Sequence, residues 1–147
     1  MRIDKDFYYL NIADVVSERS TCLRRKYGAV IVKDDEIIAT GYNGAPRGRE
    51  NCCDTGVCKR EELCIPHGER YEMCNSLHAE QNAIISASRR DMLGSALYLA
   101  GREFNRDIIY RAMPCLMCKR AIINAGIAKV ISKATEDSIQ VIDVKRW

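Results

Sequence analysis

The spacing of apolar positions divides this chain into alternating short helices and strands. Over residues 4–19 apolar side chains recur at helical intervals, with Tyr8, Ile12, Val15 and Val16 on one face, which predicts an amphipathic first helix. Gly28 to Lys33 and Glu36 to Tyr42 are apolar runs joined at Asp34-Asp35, and predict an antiparallel hairpin. Residues 78–90 (HAEQNAIISASRR) return to the helical period, with Ala79, Ala83, Ile84 and Ala87 in phase, and that helix stops near Gly94. A strand follows from Ala96 to Ala100. A helix beginning at Cys115 then ends at Gly126, a residue suited to the left-handed position after a helix. Lys129 to Ser132 and Ile139 to Val144 read as further strands. This order predicts an α/β fold, a mixed five-stranded sheet with helices on its faces. Only about six residues separate the last two strands, too few for a parallel crossover, so the last strand is expected to run antiparallel to its neighbour.

Two stretches fall outside this pattern. Residues 52–76 have no clear period and read as a Cys-rich insertion loop, which needs something to order it within a compact domain. Gly101 to Met113 (GREFNRDIIYRAM) reads as a hairpin extension turning at Asn105-Arg106-Asp107, placed either to line the mouth of a site or to support an interface. Residues 1–147 as a whole read as one domain, long enough to bury a core.

Composition narrows the classes. Hydrophobic content of 47% with 29% charged residues is that of an ordinary globular chain. The charged start, Met1 to Asp6, has no signal-peptide core, and no apolar run approaches the roughly 20 residues of a membrane span. A cytoplasmic location without membrane association is therefore expected. A net charge of +3 makes no separate argument for nucleic acid. Eight cysteines in a cytoplasmic chain point to metal or catalysis before disulfides.

The chemistry is concentrated in His78-Ala79-Glu80 and Pro114-Cys115-Leu116-Met117-Cys118. One histidine and two cysteines suit a tetrahedral zinc ion and leave its fourth position for water. Cys-x-x-Cys at a helix start turns two sulfurs toward one point, where free N–H groups and the helix dipole favour thiolates. Pro114 suits such a start. His78 and Glu80 in the first turn of the preceding helix would face the same metal, and Glu80, not needed as a ligand, could move protons of the water that zinc activates. A closed structural zinc site has no use for a carboxylate beside its histidine; a hydrolytic site does.

H-x-E…P-C-x-x-C is the known signature of zinc-dependent nucleobase deaminases. The chain resembles the cytidine/deoxycytidylate deaminase superfamily, and within it the deoxycytidylate (dCMP) deaminases, from about Ser20 to Ile131. The likeness includes Ser20 to Arg24, Gly28 to Val32, Gly41-Tyr42-Asn43-Gly44, Asn51-Cys52, His78 to Ile84, Pro114-Cys115-x-x-Cys118 and Ala125-Gly126-Ile127. It implies the cytidine deaminase-like three-layer fold, a catalytic zinc on His78, Cys115 and Cys118, Glu80 as proton shuttle, and deamination of a cytosine nucleotide, foremost dCMP to dUMP with release of ammonia. It also implies that the Ala79 backbone N–H and the Asn43 side chain orient base and sugar; a plain turn residue is the competing reading of Asn43. Arg24 matches an arginine of many relatives and is assigned to the phosphate. Arg47 is a second candidate, for which surface charge is an equal explanation.

Several relatives carry a second, structural zinc, and Cys22 and Cys52 match its cysteines. Cys58 and Cys74 are assigned to complete the set, with His67 and Cys64 as alternatives and free thiols as the competing reading. A homo-oligomer is implied, with dCTP and dTTP as candidate effectors. The antiparallel last strand resembles the free-nucleoside cytidine deaminases instead, although those typically have Cys where this chain has His78. Deamination of free (deoxy)cytidine or of adenosine in tRNA, and a zinc-stabilised binding module without catalysis, are the competing functions. Gly-Tyr-Asn-Gly and the Cys-rich insertion argue against tRNA, and the intact Glu80 argues against a binding module.

Overall fold

A computed structural model describes residues 1–147. Strands β1 (Arg25–Lys33) and β2 (Glu36–Tyr42) form a hairpin through Asp34 and Asp35, at φ 51° and 64°. Short polar side chains tolerate that left-handed backbone, which matches the twist of a two-residue hairpin turn. β1 also pairs antiparallel with β3 (Ala96–Glu103), from Arg25 opposite Glu103 to Val32 opposite Ala96. β3 and β4 (Lys129–Lys133) run parallel, and β5 (Ile139–Asp143) closes the sheet antiparallel to β4. The sheet order is β2-β1-β3-β4-β5, a mixed five-stranded sheet in which β5 has the predicted direction.

Alternation along β1 splits the core in two. Val30 and Val32 face helix α1 (Lys5–Ser17), joined by Tyr98 and Ile131. Ala29 and Ile31 face the opposite layer with Leu97, Leu99 and Val130. While the short helices α2 (Cys52–Thr55) and α3 (Lys59–Glu62) belong to the insertion, that layer contains α4 (Ala79–Ile85), α5 (Arg89–Met92) and α6 (Leu116–Ala125). Ala79, Ala83 and Ile122 of α4 and α6 pack directly on the sheet.

Three sequence expectations are corrected. The buried stripe of α1 is Tyr9, Leu10, Ala13 and Ser17, whereas Tyr8 and Val15 are exposed and Ile12 and Val16 only flank the core. The reason is backbone proximity: a Cβ on Gly28 would overlap the Ala13 carbonyl and stand 2.6 Å from Ser17 N, so the helix turns its small residues to the strand. The helix expected over 78–90 breaks after Ile85 and restarts behind Ser88, whose side chain accepts from Asp91 N. The insertion is only partly irregular. Its first helix is capped at Asn51, with Asp54 reaching back to the Asn51 N–H, and a 3-10 turn spans Tyr71–Met73.

Beyond Ala100, β3 continues to Glu103, and Arg102 bridges Ile108 around a turn at Asn105 to Asp107 where Arg106 has φ 74°. No helix is long and apolar enough to cross a membrane.

Candidate metal centre and active-site pocket

Two helix starts carry the chemistry. His78 is the extended residue before α4, and its N–H donates to Gln81 Oε1 at 2.8 Å, closing the first turn. Cys115 holds the same position before α6, with Cys118 in that helix's first turn. Gly41 lets the two layers approach, because a Cβ there would overlap the α4 backbone at Ala83 N and Ala79 O. Asn82 Nδ2 donates to Tyr42 O at 2.8 Å, and Gly44 exchanges backbone hydrogen bonds with Leu77 at 2.8 and 3.1 Å. Gly-Tyr-Asn-Gly thus holds α4, and with it His78 and Glu80, against the end of β2.

His78 Nδ1 lies 3.4 Å from Cys115 Sγ and 3.3 Å from Cys118 Sγ, and all three ligand atoms fall within 4.8 Å of one another. Zinc bonds of about 2.0–2.3 Å in tetrahedral geometry separate nitrogen and sulfur by roughly 3.5 Å, so these residues fit a zinc ion without rearrangement. Glu80 is 5% exposed, and its Oε2 is 3.7 Å from the Cys118 thiol. Burial pushes its carboxyl up toward the neutral form. The His78 imidazole is raised by its hydrogen bond to Cys115 and, against burial, by the Glu80 charge. Cys115 is drawn down to about 4, first by the Cys118 thiol that donates to it and then by His78. Cys118 is pushed up, by donating to Cys115 and by burial. A divalent cation bound here would hold both sulfurs as thiolates.

A pocket opens in front of Glu80, Ala79, His78 and Cys115. Asn43 lines it, nine-tenths buried, with Oδ1 accepting from Tyr27 N at 2.8 Å and Nδ2 donating to Arg25 O at 2.9 Å. Neither Asn43 nor Gly44 has a left-handed backbone, so the plain turn explanation fails. Arg24 lines the pocket with its Nε 3.3 Å from Glu61; Arg47 is exposed and does not line it. Met113, at the end of the hairpin extension, lines it as well.

Sequence reasoning missed Arg25, Arg60 and Tyr71. Arg60 is 6% exposed; its Nη2 donates to Pro66 O and Glu69 O, both at 2.8 Å, while its buried Nε has no partner. Its guanidinium lies 4.7 Å from the centre of the Tyr71 ring, which meets the His78 ring edge-on at 5.2 Å. A buried arginine in an aperiodic insertion leaves no pattern to find.

Cys22, Cys52, Cys58 and Cys74 share one neighbourhood. The Cys52 thiol is pushed up by burial and by the other three. Backbone N–H groups of Arg24 and Ser76 donate to Cys22 and Cys74 Sγ, each at 3.4 Å. No three of the four sulfurs come within 4.8 Å of one another. Of the alternatives, Cys64 is exposed, and His67 Nε2 stands 3.4 Å from Arg25 Nη1.

The family model of the cytidine and deoxycytidylate deaminase zinc-binding region matches residues 3–134. The chain is 38% identical over 135 residues to the deoxycytidylate deaminase of Mycobacterium phage D29, covering 88% of this chain and 94% of that one. It is 37% identical over 127 residues to the deoxycytidylate deaminase of Schizosaccharomyces pombe, covering 86% of this chain but only 36% of the yeast protein. Among solved structures, the dCMP deaminase of cyanophage S-TIM5 in complex with dCMP and dUMP superposes with a TM-score of 0.59 at 30% identity, over 88% of this chain and 81% of that one.

Proposed function

The chain belongs to the cytidine and deoxycytidylate deaminase family, and from that premise we propose that it hydrolyses dCMP to dUMP and ammonia. One observation carries the reading: His78, Cys115 and Cys118 converge on a single point with the buried Glu80 carboxyl beside them, at the floor of a pocket with a basic wall. A phage enzyme of similar fold is known with dCMP and dUMP, which supports the same substrate here.

His78, Cys115 and Cys118 would hold a zinc ion, which would make hydroxide available at neutral pH by lowering the pKa of water to about 7. Glu80 takes the proton released by that water and passes it to ring N3. The water oxygen bonds to C4, Glu80 takes the remaining proton of the added hydroxyl and delivers it to the exocyclic amine, and the bond from C4 to that nitrogen breaks as the C4 carbonyl forms and ammonia leaves. The Glu80 carboxyl, pushed toward the neutral form by burial, suits a group that holds and hands on a proton. The Ala79 N–H, in the first turn of α4 where no intrahelical acceptor exists, orients the base. Asn43, held rigid by Tyr27 and Arg25, orients the sugar. Arg24, with Arg25 and Arg60, receives the phosphate through charged hydrogen bonds.

The same reading includes a structural zinc on Cys22, Cys52, Cys58 and Cys74, supported by their shared neighbourhood and the N–H···S bonds, with the sulfurs drawn closer by the ion. It also includes a homo-oligomer, for which Ile85, Leu116 and Ile123 offer exposed apolar side chains on α4 and α6. Regulation by dCTP and dTTP, through Gly41 to Pro46, is checked by adding each to the assay.

The decisive experiment follows ultraviolet absorbance with dCMP and with deoxycytidine in parallel. Rapid loss of the cytosine signal with dCMP alone is the expected result. Preference for deoxycytidine would replace this reading with the nucleoside one, which the antiparallel β5 favours.

A further inference from the structure

We infer that Glu61 and Glu103 restrict the substrate to a single phosphate by occupying the space into which a second phosphate would extend. This inference rests on the nucleotide reading above.

The charge along the route out of the pocket changes sign. Arg24, Arg25 and His67 line both the catalytic pocket and an outer cleft adjoining it, whereas Glu61, Glu103 and Phe104 line only the cleft. Moving outward from Glu80 and His78, a ligand therefore meets a basic collar first and two carboxylates next. Within the collar, the buried Arg60 guanidinium keeps one N–H without an acceptor, a donor suited to an anion at that depth.

The carboxylates are held in place by the fold. Arg25 and Glu103 are directly paired across β1 and β3, at the base of the hairpin extension. The guanidinium grips the carboxylate in a fork, with Nε to Oε2 at 3.1 Å and Nη2 to Oε1 at 3.0 Å. On the other wall Arg24 Nε meets Glu61, from α3, at 3.3 Å. Both pairs are partly exposed, so one arm of either arginine can turn inward to a phosphate at little cost. A monophosphate ends at the collar. A diphosphate would push its outer charge against two carboxylates, and like charges brought together discriminate strongly between otherwise similar ligands.

If the two bridges served only to fasten strand and helix ends, replacing the carboxylates would alter stability and leave the substrate ratio alone. The test uses the full zinc-loaded chain and the variants E61Q, E103Q and the double variant, with dCMP and dCDP as substrates. Products are separated by ion-exchange chromatography as dUMP and dUDP, and zinc content and thermal midpoint are recorded for each variant. The double variant should raise kcat/KM for dCDP relative to dCMP by about tenfold or more, mainly through KM. E61Q, on a short exposed helix, keeps the test available should E103Q fold poorly, and should shift the ratio in the same direction. An unchanged ratio in folded, zinc-loaded variants overturns the inference. Equal use of dCDP and dCMP by the unaltered chain overturns it too, while leaving nucleotide deamination standing. If the unaltered chain turns over neither nucleotide, the nucleotide reading falls and takes this inference with it.

Discussion

His78 Nδ1 and Cys118 Sγ, 40 residues apart in the chain, stand 3.3 Å apart because each belongs to the start of a helix packed on the same face of the sheet. That placement uses the end of a helix where backbone N–H groups are free and thiolates are stabilised. It also sets Glu80, two residues beyond His78, beside the Cys118 sulfur at 3.7 Å. The metal ligands and the proton carrier are thus one rigid unit.

Replacing Glu80 with Gln should lower kcat for dCMP by at least about 10²-fold, the usual contribution of a positioned acid–base group. Zinc content should stay the same, since Glu80 is not a ligand. Deamination rate and metal content measured on the same preparation decide the matter, and activity retained by E80Q would remove Glu80 from the proton pathway.

Cys118→Ser should abolish both activity and catalytic zinc, while Cys58→Ser should lower bound zinc by one equivalent and leave the catalytic ion in place. The measurement is metal per chain by atomic emission beside the thermal midpoint. Two equivalents in the unaltered chain are expected. A single equivalent, unaffected by C58S, would return Cys22, Cys52, Cys58 and Cys74 to the status of free thiols.

Gly41→Ala places a methyl group where the α4 backbone already lies. Either α4 moves or the strand does, and overpacking of this kind costs about 1–3 kcal/mol. Because α4 carries His78 and Glu80, G41A should weaken zinc retention during dialysis as well as thermal stability. Gly28→Ala should destabilise by a similar or greater amount, through the overlap with Ala13 O, without loosening the metal in the folded fraction. Equal zinc retention in the two variants would separate Gly-Tyr-Asn-Gly from the metal site.

Arg60→Gln should raise KM for dCMP by about tenfold or more, which corresponds to the 1.5–3 kcal/mol of a hydrogen bond to a charged group. Deoxycytidine, lacking the phosphate, serves as the control for disturbance of the insertion loop. Parallel losses on both substrates would make Arg60 a support for Tyr71 and His78, and no anchor for the phosphate.

The sequence by itself determined the layers of this fold and the metal centre. Apolar runs locate the five strands and helical periods locate the helices around His78 and Cys115, because the inner strands are buried on both faces and the helices on one. The short link before Ile139 dictates an antiparallel β5 by chain length alone. His78, Cys115, Cys118 and Glu80 are legible because each lies within one helical turn of a helix start, a local arrangement that spacing records.

Tertiary structure alone decided which face of α1 is buried. Tyr8 and Val15 are apolar enough for the core, but only Ala13 and Ser17 permit the backbone of Gly28 to approach. It alone also brought Arg25, Arg60 and Tyr71 to the pocket, from a strand end and an insertion whose order comes from caps, a buried guanidinium and thiols. Such contacts join residues far apart in the chain and leave no periodic trace, so the wall of the site, unlike its floor, could be read only once the chain was folded.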